Sequence, residues 1–107
     1  MSDDDQMSRI ERGALCVLVL HEAWLFSMET IDQQFRDHKI TGYKKRRLKS
    51  KYTSFYESAR TRYLKEDMNI VELEGDAKTM LMMLNDLGVD GFQLLWKFWN
   101  GLNDDNL

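Results

Sequence analysis

Proline is missing from all 107 residues, and cysteine nearly so, Cys16 being the single example. With no pyrrolidine ring to fix φ or delete a backbone donor, nothing of that kind forces a helix to stop anywhere in the chain. One cysteine excludes an internal disulfide, and its place inside the apolar run Ala14 to Leu20 makes it a buried small hydrophobe; a reducing, cytoplasmic setting is the expectation. Histidine is also scarce, with His21 and His38 only. His21 and Glu22 open like a zinc-protease helix, but Leu25 stands where the second histidine belongs, and Glu-x-x-His, the di-iron bundle motif, does not occur.

Other absences narrow the function. There is no glycine-rich phosphate loop, no spacing that supports a Ser-His-Asp set, and no reactive position for the one thiol. Asp32, Asp37 and His38 form a loose solvent-facing set, too open for a dedicated metal site. The carboxylate pairs Glu72 with Glu74 and Asp104 with Asp105 read as ordinary exposed charge. A non-enzymatic protein without cofactor or metal is therefore expected. The run from Ala14 to Phe26 is interrupted by His21 and Glu22 and falls short of the roughly 20 apolar residues of a bilayer span, so no membrane association is expected. A signal peptide is not indicated either, because Asp3 to Asp5 precede the run where a basic region would stand.

What the chain does contain is apolar residues at three- and four-residue steps, with hydrophobic content of 43% and aromatic content of 11%. That much apolar area offsets the entropy of ordering a chain, so the pattern predicts one all-α domain over residues 1–107. A bundle of four to five helices is expected, with short acidic loose ends at about 1–5 and 102–107. The first helix is placed at about Asp5 to Met28, with Ile10, Ala14, Val17, His21, Trp24, Leu25 and Met28 within one arc. Leu15, Cys16, Leu18, Val19 and Leu20 point in other directions, so this helix is expected at the centre, buried on most sides, with His21 a hydrogen-bonded core residue.

A shorter helix is placed at Thr30 to His38, Thr30 capping and Gln33 completing a capping box, with Ile31, Phe35 and Gln34 inward and Gly42 turning the chain. Next comes a long helix from Tyr43 or Lys44 to Lys65, whose stripe of Leu48, Tyr52, Phe55, Tyr56, Ala59 and Tyr63 faces the core. A fourth begins at Asn69, paired with Glu72 at its start, and runs through Leu73, Ala77, Met80, Leu84 and Leu87 to a Gly88 cap. A break at Gly75 and Asp76 is the competing assignment. Asp90 can then cap a last helix, Gly91 to Asn100.

Charge is the informative feature. Residues 43 to 65 hold nine basic and one acidic side chain, whereas 1 to 42 hold four and eight and 66 to 107 hold two and nine, within a chain of net charge −3. On a helix turning about 100° per residue, Lys44, Arg47, Ser54, Lys51, Ser58, Arg62 and Lys65 share one flank of the apolar stripe. Such a row suits an acidic protein surface or phosphates. Arg46, Lys49 and Arg60 lie across the stripe and Lys45 points along it, as if to balance the acidic flanking segments. A second candidate surface is apolar: Phe92, Trp96 and Trp99 on the last helix, beside the flexible thioethers of Met82 and Met83.

These features predict a small interaction protein, an adaptor, inhibitor or regulatory subunit of the kind found among phage and mobile-element accessories. It would dock on a protein partner, alone or as a homodimer. Nucleic-acid binding through the basic row is the alternative, although the net negative charge and the lack of a helix-turn-helix or zinc-finger pattern count against it.

Overall fold

The computed structural model describes residues 2–65, 69–90 and 93, with side chains from Arg12 onward. Three helices are formed among the described residues: α1 (Ser2–Arg36), α2 (Gly42–Leu64) and α3 (Ile70–Asp86). No strand occurs among the described residues. The all-α single domain is as expected, but the described residues form three helices where four to five were expected.

The surplus came from an imagined break after Met28. Thr30 and Gln33 lie inside continuous helix, because no proline or glycine stands between Gly13 and Gly42, Gln is a good helix former, and the penalty for a Thr in a helical interior is under ~1 kcal/mol. Ser27, fully buried, hands its hydroxyl proton to the Ala23 carbonyl one turn back and so leaves no orphaned polar atom. The proposed helix over Gly91 to Asn100 lies outside the described residues apart from Gln93, whose backbone N–H donates to the Asp90 carboxylate at 3.2 Å.

Local chemistry sets the true boundaries. α1 ends at Arg36, where the Lys39 N–H returns to the Gln34 carbonyl and the His38 N–H to the Phe35 carbonyl, a Schellman closure that places His38 at φ 61°. Thr41 then caps α2, its hydroxyl oxygen accepting the Lys44 N–H, so Gly42 is the first helical residue rather than the turn. Asn69 caps α3 through the Glu72 N–H as expected. Gly75 does not interrupt it. The same Schellman closure ends α3, with Val89 bonding back to Leu84 and Gly88 at φ 91°.

Packing follows from these lengths. α2 runs antiparallel to α1, bringing Trp24 opposite Thr53 and Asp32 opposite Lys49; α3 returns parallel to α1, with Ile70 near Gly13 and Leu87 near Gln34. The core lies between the three, built from Leu15, Val19, Leu20, Ala23 and Ile31 of α1, Tyr52 and Ala59 of α2, and Leu73, Ala77, Met80, Leu81 and Leu84 of α3.

Here the expected facing of α1 is overturned. Its core side is the arc of Leu15, Cys16, Val19, Ala23, Ser27 and Ile31, while Ala14, Val17, His21 and Leu25 are exposed. Of the expected arc's described side chains only Trp24 and Met28 pack against the core, and both reach Thr53 of α2. Two neighbouring helices cover one side of α1, and nothing among the described residues covers the other. His21 is accordingly no core residue: its ring is 46% exposed and lies 3.9 Å from Glu22.

Candidate functional site: the basic face of α2

The nine cations of the basic segment divide according to what faces them. Lys49 and Lys45, on the side turned toward α1, converge on Asp32: Lys49 Nζ is 3.0 Å from one carboxylate oxygen and Lys45 is 4.0 Å away. Lys45 also lies over the Phe35 ring, 4.4 Å from its centroid. Its place along the apolar arc thus has a cause, since the ammonium finds a carboxylate and an aromatic face where the bundle closes. Arg62, near the other end of α2, bonds Asp76 of α3 at 2.8 Å.

The remaining members of the predicted row lie as the periodicity placed them. Lys44, Arg47, Lys51, Ser54, Ser58 and Lys65 are all exposed on one flank of α2. No ion pair holds Lys44, Arg47, Lys51 or Lys65 among the described residues. Arg62 shares their flank but is committed to Asp76, so the row divides into an N-terminal cluster of three cations, a hydroxyl stretch, and Lys65 beyond the arginine.

The N-terminal cluster is also concave. Tyr43, Lys44, Arg47, Leu48 and Lys51 line an open cavity of about 560 Å³. Tyr43 is 65% exposed, and Leu48 is half-buried against the core. Three ammonium and guanidinium groups around an aromatic ring and an aliphatic side chain can bind anionic groups while covering apolar surface. Periodicity found the cations. It missed Tyr43 because an aromatic residue at a helix start carries no periodic signal, and Leu48 because its spacing assigns it to the core stripe.

Of the apolar candidates, Met82 is 58% exposed, whereas Met83 packs on the core and its carbonyl accepts the Tyr52 phenol. Phe92, Trp96 and Trp99 lie outside the described residues. Asp32, Asp37 and His38 do not converge: Asp32 holds the two lysines, Asp37 accepts from Gln33, and no group of three metal-ligating side chains gathers among the described residues.

Two buried groups have shifted acidities. Burial, reinforced by Glu74, pushes the Cys16 thiol up to about 11, and burial with Asp86 nearby pushes the Tyr52 phenol up to about 12. Both stay protonated at neutral pH, so Cys16 is not a nucleophile there. Arg12–Arg36 is long and apolar enough to cross a bilayer, His21 and Glu22 notwithstanding. A core helix meets the same criterion, and one side of this stretch is core.

Compared with known proteins, the chain matches no family model, no curated sequence and no solved structure.

Proposed function

We propose that the protein is a small non-enzymatic interaction module, an adaptor, inhibitor or regulatory subunit, which docks an acidic surface of a protein partner against the N-terminal half of α2. One observation carries this reading. The fold neutralises Lys45, Lys49 and Arg62 with its own carboxylates, yet Lys44, Arg47 and Lys51 line an open cavity together with Tyr43 and Leu48, with no carboxylate of the described residues on them.

A partner bearing Asp or Glu side chains around an apolar residue complements that surface. The cations steer the encounter, and Tyr43 with Leu48 supply area removed from water. Affinity capture from the native lysate, run in parallel with wild type and with the K44E/R47E/K51E variant, tests the proposal. The expected result is a protein recovered on the first and lost on the second. Equal recovery on both overturns it.

A second reading rests on Ser54 and Ser58, exposed beyond the three cations, which extend the row with phosphate-binding hydroxyls. It requires binding of DNA or RNA that weakens steeply with salt as counterions are released. A fluorescence-anisotropy titration with duplex and single-stranded oligonucleotides at low salt decides it, because a flat response leaves only the protein partner.

A further inference from the structure

The cavity on α2 stands beside the end of α3. Tyr52 of α2 gives its phenolic proton to the Met83 carbonyl and Arg62 of the basic flank bonds Asp76, so the two helices run antiparallel with that flank turned toward α3. Asp86, the last residue of α3, is three residues beyond Met83 and comes level with about residue 49 of α2, between Leu48 and Lys51. Gly88 turns the chain there at φ 91°, and Val89 packs on the core. The Asp90 carboxylate then accepts the Gln93 N–H, the bond that a helix cap makes to its third residue. A new element therefore sets out beside the cavity.

The cavity itself has one described wall. Tyr43, Lys44, Arg47, Leu48 and Lys51 all belong to α2, and a single helix is convex, so a concavity of about 560 Å³ calls for a facing surface. The sequence after Asp90 has the composition to supply it. Phe92, Leu95, Trp96 and Trp99 follow the i, i+3, i+4, i+7 spacing of one apolar stripe. On a helix that stripe is roughly 10 Å long, against roughly 12 Å from Tyr43 to Lys51. Charge agrees with length. Lys97, the one cation after Asp90, falls on the opposite side of such a helix, and Asp104 and Asp105 add only negative charge. Aromatic faces also attract the ammonium and guanidinium groups that no carboxylate of the described residues holds.

We infer that the chain's own segment from Phe92 to Trp99 packs its apolar stripe into this cavity and covers the basic face of α2, so that a partner must displace it to dock. The coverage stands on the placement of α3 and the cavity; its use as a regulator rests on the docking function proposed above. A segment that holds the site nine-tenths of the time leaves one-tenth of the molecules competent, and so weakens a competing partner about tenfold.

Fluorescence quenching in the full chain tests the coverage without any partner. With Trp24→Phe and Cys16→Ala, Trp96 and Trp99 are the only indoles and one introduced cysteine can carry a nitroxide. A nitroxide on Arg47→Cys is expected to quench the indole emission at low micromolar concentration, whereas one on the exposed Val71→Cys, at the far end of α3, is expected to leave it unchanged. Equal emission with both labels overturns the coverage. Quenching that appears only as the concentration rises assigns the contact to a second copy and overturns it too.

Displacement has its own readout, a fluorescein-labelled peptide of glutamates around one leucine. Trp96→Ala and, as a second variant, Leu95→Ser are each expected to bind this peptide on the order of tenfold more tightly than wild type, and to lose it when K44E/R47E/K51E is added. Equal affinity in wild type and both variants overturns the regulatory use. Binding to none of them, with quenching from position 47 intact, overturns the docking function and the regulation with it, while the coverage stands as a packing contact.

Discussion

His38 occupies a conformation that its side chain resists. At φ 61° its Cβ crowds the following carbonyl, a cost of roughly 1–2 kcal/mol that glycine avoids. His38→Gly is therefore expected to stabilise the fold by about 0.5–1 kcal/mol in urea denaturation, since glycine recovers most of the strain and loses some of the gain to its greater freedom when unfolded. Gly88, in the same role at the end of α3, was legible in the sequence because glycine is the usual residue there; a histidine in that position carries no signal. Cys16 and Tyr52 make a second residue-scale prediction. Their folded acidities, near 11 and 12, lie above the ordinary 9.0 and 10.0, so the folded state keeps protons that the unfolded chain releases. Stability is thus fully present below about pH 9 and falls as pH rises toward 12, first through the thiol and then through the phenol. Urea midpoints measured from pH 7 to pH 11.5 are expected to decline over that window, and Tyr52→Phe is expected to remove the later part while lowering neutral-pH stability by about 1 kcal/mol through loss of its bond to the Met83 carbonyl.

At the scale of the element, the three- and four-residue spacing identified α2 and α3 almost to their ends, because each has one apolar face and a side-chain cap at Thr41 or Asn69. It failed on α1 for a physical reason. Apolar residues surround that helix, so the pattern contains two candidate faces, and only the placement of α2 and α3 selects the one with Leu15, Val19 and Ala23. The expected break at Thr30 had the same origin as the entertained break at Gly75: a residue compatible with a boundary was weighed without the packing that overrides it. Gly75 is an exposed, open position in the middle of α3, with nothing within 4 Å of where a Cβ would stand. Gly75→Ala is expected to raise stability by about 0.8–1 kcal/mol, read from the thermal midpoint and from helical ellipticity, and no gain would mean that α3 bends there in solution.

Across the whole molecule, the charge polarity of the sequence becomes a division of labour. Asp32 of α1 and Asp76 of α3 each reach α2, so the basic helix is held from both sides by its acidic neighbours; of the four cations expected to balance the flanking segments Lys45 and Lys49 do so, Arg46 and Arg60 hold no ion pair among the described residues, and Arg62, expected on the docking row, is balanced instead. Which cations would be balanced was not legible, since it depends on how α2 is rotated against two partners distant in sequence. The Asp76 side chain is only 18% exposed, so Asp76→Ala is expected to cost about 1–2 kcal/mol and to lose most of its effect in an Arg62→Ala background. In contrast, K44E/R47E/K51E is expected to leave the melting temperature within about 2 °C of wild type, because those residues are exposed and hold no ion pair among the described residues. A large loss of stability in that variant would make the basic row a structural device rather than a docking surface.

The stack of Trp24 on Tyr56, with centroids 4.8 Å apart, planes 6° from parallel and the indole N–H given to Thr53, is made by residues of α1 and α2. It is a local clock. With Trp96 and Trp99 replaced by phenylalanine, indole emission in a stopped-flow refolding trace times the closing of the α1–α2 hairpin alone, while the Tyr52 phenol reports arrival of the α3 backbone. Because the hairpin needs only the short connection between Arg36 and Gly42, whereas Gln34 must wait for Leu87, 53 residues further along, the first signal is expected to precede or coincide with the second and never to follow it.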